Sequence, residues 1–193
     1  MSLEIILDEY PKEIQTKDKF TCTARPLASS DEWNFHEFFL AVPPKELMFI
    51  KHRVTEPEVI HDWCQHIDLD RNLPLLALNA GQIVAVATLH QQLGGWKRHI
   101  GRVSVLVHPK FRGRGLAWAL VSEVVDVAQR AGLKKVEAEF IGEQEAAIKM
   151  FAMLGFSSLV RLPNYVQDMQ THPHDYVLMG LDLKTDEEYA GMG

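Results

Sequence analysis

The chain has 193 residues, 47% of them apolar and 24% charged, which is long enough for one substantial core and excludes the disordered and fibrous classes. Twenty Lys and Arg against 26 Asp and Glu give a net charge of −6, the wrong sign for a nucleic-acid backbone. Two cysteines far apart, Cys22 and Cys64, exclude a disulfide framework and a zinc site, and no apolar run reaches the roughly 18–20 residues of a membrane span.

These features predict one domain in a reducing, cytoplasmic setting, with neither nucleic acid nor membrane as partner. Residues 1–19 read as an N-terminal extension, with Leu3–Leu7 as an added edge strand followed by a polar linker. Residues 20–183 read as the domain, and 184–193 as a polar tail that frays. Phe20–Ala24 alternates like a strand. Ser29-Ser30-Asp31-Glu32 opens a helix whose Trp33, Phe35, Phe38, Phe39 and Leu40 crowd one side until Pro43-Pro44 stops it. Those aromatics serve as core or as a substrate-pocket wall. Thr55-Glu56-Pro57-Glu58 starts a second helix, running to about Ile67.

Leu75–Leu78 and Ile83–Leu89 flank Asn79-Ala80-Gly81-Gln82, a hairpin signal, and Ile100–Val107 adds a third strand to the meander. From Gly115 the period changes. Leu116, Leu120, Val124, Val127 and Ala131 recur at helical spacing, and Gly132 is placed to cap that helix. Lys135–Ile141 alternates as a strand, Glu145–Leu154 reads as a helix ended by Gly155, and two strands follow at Phe156–Leu162 and Tyr176–Leu183. The order predicts a mixed α/β fold, with a mostly antiparallel sheet of about six to seven strands and about four helices.

The most informative stretch is Val103 to Ala117. A buried strand there runs through His108-Pro109 into Arg112-Gly113-Arg114-Gly115-Leu116-Ala117, a glycine-rich loop that opens a helix. Amides without intrahelical partners, the positive end of the helix dipole and two arginines make such a loop an anion cradle. It is not a nucleoside-triphosphate loop, because no Lys-Ser or Lys-Thr follows the glycines. Nor is it a dinucleotide fingerprint, because Trp118 takes the place of the third glycine.

Arg112, Gly115 and Ala117 fill the pyrophosphate signature of the GNAT superfamily of acetyl-CoA-dependent N-acetyltransferases. Ala147-Ile148-x-x-Phe151-x-x-Leu154-Gly155-Phe156 resembles that family's following helix. The resemblance covers about Phe20 to Leu183. It implies that Val105, Leu106 and Val107 hydrogen-bond the pantetheine arm, that the amides from Arg112 through Gly113, Arg114, Gly115 and Leu116 to Ala117 hold the pyrophosphate, and that Gln144 and Phe151 flank the thioester end. Phe140-Ile141-Gly142-Glu143-Gln144 is similar, more weakly, to the bacterial protein lysine acetyltransferase branch.

The chain departs from the family at two points. Phe151 stands where many members carry a tyrosine that protonates the leaving thiolate, and the strand entering the loop, His99-Ile100-Gly101-Arg102, offers no carboxylate base. Glu139 and Glu143 are the candidate bases, with Glu137, His90 and His99 beside them; the bland alternative is a solvated sheet face. Direct attack by the amine is expected without a covalent intermediate, since the motif supplies no activated serine and neither cysteine lies in it. His172 and His174 suggest a metal pair but lack a third ligand, so no metal is expected. Trp96 and Lys97 mark a turn that is exposed or touches a partner. The acceptor is an amine of open identity, a protein among the options, and a homodimer is one open assembly. The other reading is a CoA-sensing or interaction domain that kept the cradle and lost catalysis.

Overall fold

Strand alternation and helical period sort the chain into a single eight-stranded sheet with helices on both faces. The computed structural model describes residues 2–47, 50, 53–168 and 170–183. In chain order the elements are α1 (Leu3–Leu7), β1 (Lys12–Gln15), β2 (Thr21–Pro26), α2 (Glu32–Ala41), α3 (Pro44–Leu47), α4 (Pro57–Gln65), β3 (Asn72–Asn79), β4 (Gln82–His90) and β5 (Ile100–Val107). They continue with α5 (Leu116–Arg130), β6 (Lys135–Ile141), α6 (Glu145–Met153), β7 (Ser157–Gln167) and β8 (Pro173–Asp182). The sheet order is β1-β2-β3-β4-β5-β6-β8-β7, antiparallel throughout except for β5 with β6. The mixed, mostly antiparallel class expected from the sequence is the class observed.

Two details differ from the expectation. Leu3–Leu7 is a helix, not an edge strand: five residues are too few to fix a period, and as a helix the segment buries Ile6 completely against the core beneath α5. The edge strand is instead Lys12–Gln15, inside the supposed linker, paired from Lys12↔Ala24 to Gln15↔Thr21. With it the strands among the described residues number eight rather than six or seven. Among the described residues the helices number six rather than four, the extra two being α1 and the single turn α3. The expected frayed tail, 184–193, lies outside the described residues.

Side-chain alternation gives the sheet two apolar faces. Against one lies α5, whose Leu116, Leu120, Val121, Val124 and Val127 pack on Leu75, Ala85, Ala87, Leu89, Val103 and Val136. Against the other lie α2 and α4, where Phe35, Phe38, Phe39, Ile60 and Cys64 cover Leu76, Ile83 and Val86. The aromatic group of α2 is therefore core, apart from Trp33, which is 73% exposed. Both cysteines are free and buried, and desolvation pushes each thiol up to about 11, so they pack as small apolar groups. No helix among the described residues is long and apolar enough to cross a membrane.

Asp31 fastens β2 to the start of α2. It is 3% exposed, receives both terminal nitrogens of Arg25 at 2.5 and 2.6 Å, and accepts the Ala28 amide at 2.9 Å. Burial opposes its charge, yet Arg25 and that amide hold its pKa below the usual value. A depressed folded pKa contributes stability that is present above the unfolded value, about 3.9, and lost as pH falls through the folded value. Asp31→Asn is expected to cost about 1–3 kcal/mol at pH 7 and less at an acid pH where the unaltered carboxyl takes up its proton. Urea unfolding at the two pH values measures this; an equal loss at both would show that the charge is not what matters.

Candidate cofactor and acceptor site

The site begins where two strands part. β5 and β6 pair in parallel only at Ile100↔Lys135, Gly101↔Val136 and Arg102↔Glu137. Beyond that row β5 stays with β4 as far as Val107↔Ala85, while β6 stays with β8 as far as Ile141↔Tyr176. The sheet forks, and from Val103 onward β5 has no β6 partner for the main-chain groups that face the gap. An extended ligand can take the place of the missing strand there. Val105, Leu106 and Val107 line this edge. The side chains of Val105 and Val107 pack against the core under α5, and that of Leu106 against the core under α2 and α4, which holds the backbone edge-on to the fork.

The chain then turns sharply into the cradle. His108 is 5% exposed, its Nδ1 accepts the Lys110 amide at 3.2 Å, and its ring meets Phe111 edge-on at 5.5 Å, so it locks the turn. Burial, then Lys110 and Arg112, lower its pKa and keep it neutral. Gly113 and Gly115 have φ of +75° and +76°, the left-handed region that other residues enter with strain. The first α5 bond runs from the Ala119 amide to the Gly115 carbonyl at 3.0 Å. The amides of Leu116, Ala117 and Trp118 are thereby left without an intrahelical acceptor at the positive end of a 15-residue helix.

The two arginines of the loop behave differently. Arg112 donates through Nε to the Val107 carbonyl at 3.2 Å and pairs in bidentate fashion with Glu46 of α3 at 3.0 and 2.7 Å, so it clips the loop to a neighbouring helix. Arg114 lies over the rings of Phe20 and Phe111, 5.0 and 6.0 Å from their centroids. Lys17, from the β1–β2 turn, stands 4.9 Å from the centroid of Trp118, and Thr16 Cβ is 3.6 Å from where a Cβ on Gly115 would sit. The sequence reading missed this second wall because residues 16–19 looked like part of a polar linker. Lys17 and Lys19 were the only hint.

On the far side of the fork, Gln144 precedes α6, and its Oε1 accepts the Ile141 amide at 2.9 Å. Phe151 is 1% exposed, held edge-on between Phe140 at 5.0 Å and Phe156 at 4.9 Å, so its ring belongs to the core. Glu143 accepts His174 Nδ1 at 2.9 Å, while Asp168 receives His174 Nε2 at 3.3 Å and His172 Nδ1 at 3.2 Å. Hydrogen bonds to Glu143 and then Asp168 raise the His174 pKa, and the bond to His174 lowers that of Glu143. Desolvation works against the Asp168 charge, but the His172 amide and the two imidazoles bring its pKa down to about 2. His172 and His174 thus tie the β7–β8 turn to the β6–α6 loop. No group of three or more potential metal ligands occurs among the described residues.

The sheet face opposite α5 is polar beside the fork. Glu139 accepts Arg102 at 3.2 Å on Oε2 and the Tyr176 hydroxyl at 3.1 Å on Oε1, a bridge from β5 through β6 to β8. Burial and Glu139 push Tyr176 up to about 12, so it remains a donor. Glu137 takes Lys97 at 3.4 Å, and Trp96 is 87% exposed. His90 lies between Asn72 and Ser104, at 2.8 and 3.2 Å, a grouping hidden in the sequence by separations of 18 and 14 residues.

Residues 28–156 match the Acetyltransferase (GNAT) family. The chain belongs to that family. It is 30% identical over 136 residues to Acetyltransferase SG1711 of Sodalis glossinidius, covering 70% of this chain and 81% of the relative. The L-methionine sulfoximine/L-methionine sulfone acetyltransferase of Salmonella typhimurium is 31% identical over 83 residues, 40% of this chain, which spans about half (48%) of that relative. The solved structure of yncA from Salmonella typhimurium, with its cofactor acetyl-CoA, superposes with a TM-score of 0.71 at 21% identity, covering 84% of this chain and 94% of the other. GNAT members use acetyl-CoA, and this chain is an acetyltransferase of that fold.

Proposed function

We propose that this GNAT protein moves acetyl from acetyl-CoA to a primary amine by direct attack, with both substrates bound at once. The observation that carries this reading is the fork: β5 loses β6 after Arg102 and leads through the His108 turn into the Gly113–Gly115 cradle. The open edge at Val105, Leu106 and Val107 would hold the pantetheine arm, and the amides of Gly113 to Trp118 the pyrophosphate. Arg114 and Lys17 add positive charge beside the cradle. Bound acetyl-CoA supplies an activated acyl thioester, and a strand amide aimed at its carbonyl oxygen would stabilise the charge that develops there.

The acceptor reaches the thioester from the polar face opposite α5. The chain's net charge of −6 is permissive toward cationic amines, which leaves a protein lysine or N-terminus, a polyamine or a small metabolite as acceptor. The methionine sulfone acetyltransferase similarity favours a small amino acid within that set. A CoA-sensing domain is the second reading, motivated by a buried Phe151 that brings no hydroxyl to the fork.

Thiol release from acetyl-CoA, assayed with spermidine, L-methionine sulfone and a lysine peptide, separates the two. Turnover well above hydrolysis with any of them is expected for the transferase. Tight CoA binding with no turnover on all three would establish the sensor.

A further inference from the structure

Three strands bring three side chains together at the edge of the fork. His90 ends β4; Asn72 faces it directly across on β3, and Ser104 lies on β5 two residues beyond His90's register partner Arg102. His90 Nδ1 is 2.8 Å from Asn72 Oδ1, and His90 Nε2 is 3.2 Å from Ser104 Oγ. The Asn72 oxygen can only accept, so Nδ1 carries the ring proton and Nε2 keeps its lone pair toward the Ser104 hydroxyl. Val103 and Val105 pack under α5, so strand alternation turns Ser104 to the opposite, polar face. Ser104 also sits where β5 has already parted from β6.

We infer that Ser104 and His90 form the proton exit for the acceptor amine, with Asn72 as the positioning residue that sets the imidazole tautomer. This rests on the transferase reading above. The acceptor ammonium first gives up one proton to solvent; as the neutral amine nitrogen bonds to the acyl carbon, its remaining N–H becomes acidic. Ser104 Oγ takes that proton while its own passes to His90 Nε2, and His90 then returns a proton to solvent. The new C–N bond forms, the C–S bond breaks, and the thiolate leaves and is protonated by water.

The alternatives on this face are occupied. Each Glu139 oxygen already holds a donor, Arg102 or Tyr176, and Glu143 is bound to His174. The charged groups bearing on His90 are Arg102 and Glu139; Asn72 and Ser104 are neutral. Burial first, then Arg102, lower the imidazole to about 4 against the opposing pull of Glu139, so Nε2 is unprotonated at neutral pH.

The test uses the full chain, acetyl-CoA and whichever of the three amines above turns over. Ser104→Ala and His90→Gln are each expected to lower kcat about 100-fold. KM for acetyl-CoA and calorimetric CoA affinity should stay within about twofold, which also reports that the variants fold. The double variant should be no worse than either single one. Asn72→Asp should raise the His90 pKa read by NMR, and the acid limb of kcat should rise by the same amount. Wild-type kcat in Ser104→Ala, or an acid limb that ignores the His90 shift, would overturn the inference. If the unaltered protein acetylates none of the three amines, the transferase reading itself fails, which is a separate result.

Discussion

Gly115→Val is expected to weaken acetyl-CoA binding by about 100-fold while leaving the protein folded. The residue sits at φ +76°, ψ +10° as the N-cap of α5, and a β-branched residue in that region is strained by about 1–3 kcal/mol. A Cβ would lie 3.6 Å from Thr16, an ordinary contact, so the surrounding protein tolerates the first added atom. Relief of the strain rotates the peptide and turns the first free amides of α5 away from the cradle, which removes both donors and dipole from the pyrophosphate. Each tenfold loss corresponds to about 1.4 kcal/mol, so two lost charge-assisted hydrogen bonds suffice. Calorimetry with acetyl-CoA, beside thermal unfolding, reads the two effects apart. Unchanged affinity in a folded variant would remove the cradle from the site.

The second large effect lies in the core. Phe151→Ala should cost about 3–5 kcal/mol in urea unfolding, because the ring is 1% exposed and meets both Phe140 and Phe156 edge-on. Phe151→Tyr is informative for a different reason. Its hydroxyl would enter this packed aromatic group, and an unpartnered hydroxyl there costs about 1–3 kcal/mol. The expected result is lower stability with turnover no higher than in the parent. Unchanged stability with raised turnover would show instead that the hydroxyl reaches the fork and protonates the thiolate.

The parts of the fold legible in the sequence were those with long, clean periods. α5 announced itself by Leu116, Leu120, Val124 and Val127, and β6 by the alternation of Val136, Ala138 and Phe140 with Glu137 and Glu139. The short N-terminal pieces were not legible: whether Leu3–Leu7 is helix or strand is decided by the fit of Ile6 beneath α5, which no local pattern encodes. The cradle was legible because its glycines and the helix start are contiguous. His90 was legible as a candidate base, but its grouping was not, because Asn72, His90 and Ser104 belong to three strands and meet only through register. Arg112 shows the same limit from the other side, since its residue type reads as cradle charge while its partner, Glu46, lies 66 residues away. Phe151 fits the family's helix by spacing, but only packing reveals that its ring faces the core.

The seam between β5 and β6 gives the sheet an unusual mechanical economy. In the sheet itself three residue pairs join its two halves, and past them the link passes to side chains, Arg102 to Glu139 on one face and the α5 core under Val103 and Val136 on the other. On the proposed function, a ligand laid along the open edge would also be a piece of the sheet, adding cohesion that a longer β6 pairing would otherwise provide. Grip on the ligand and rigidity of the scaffold would then rise together, so acetyl-CoA is expected to raise the unfolding temperature of the chain.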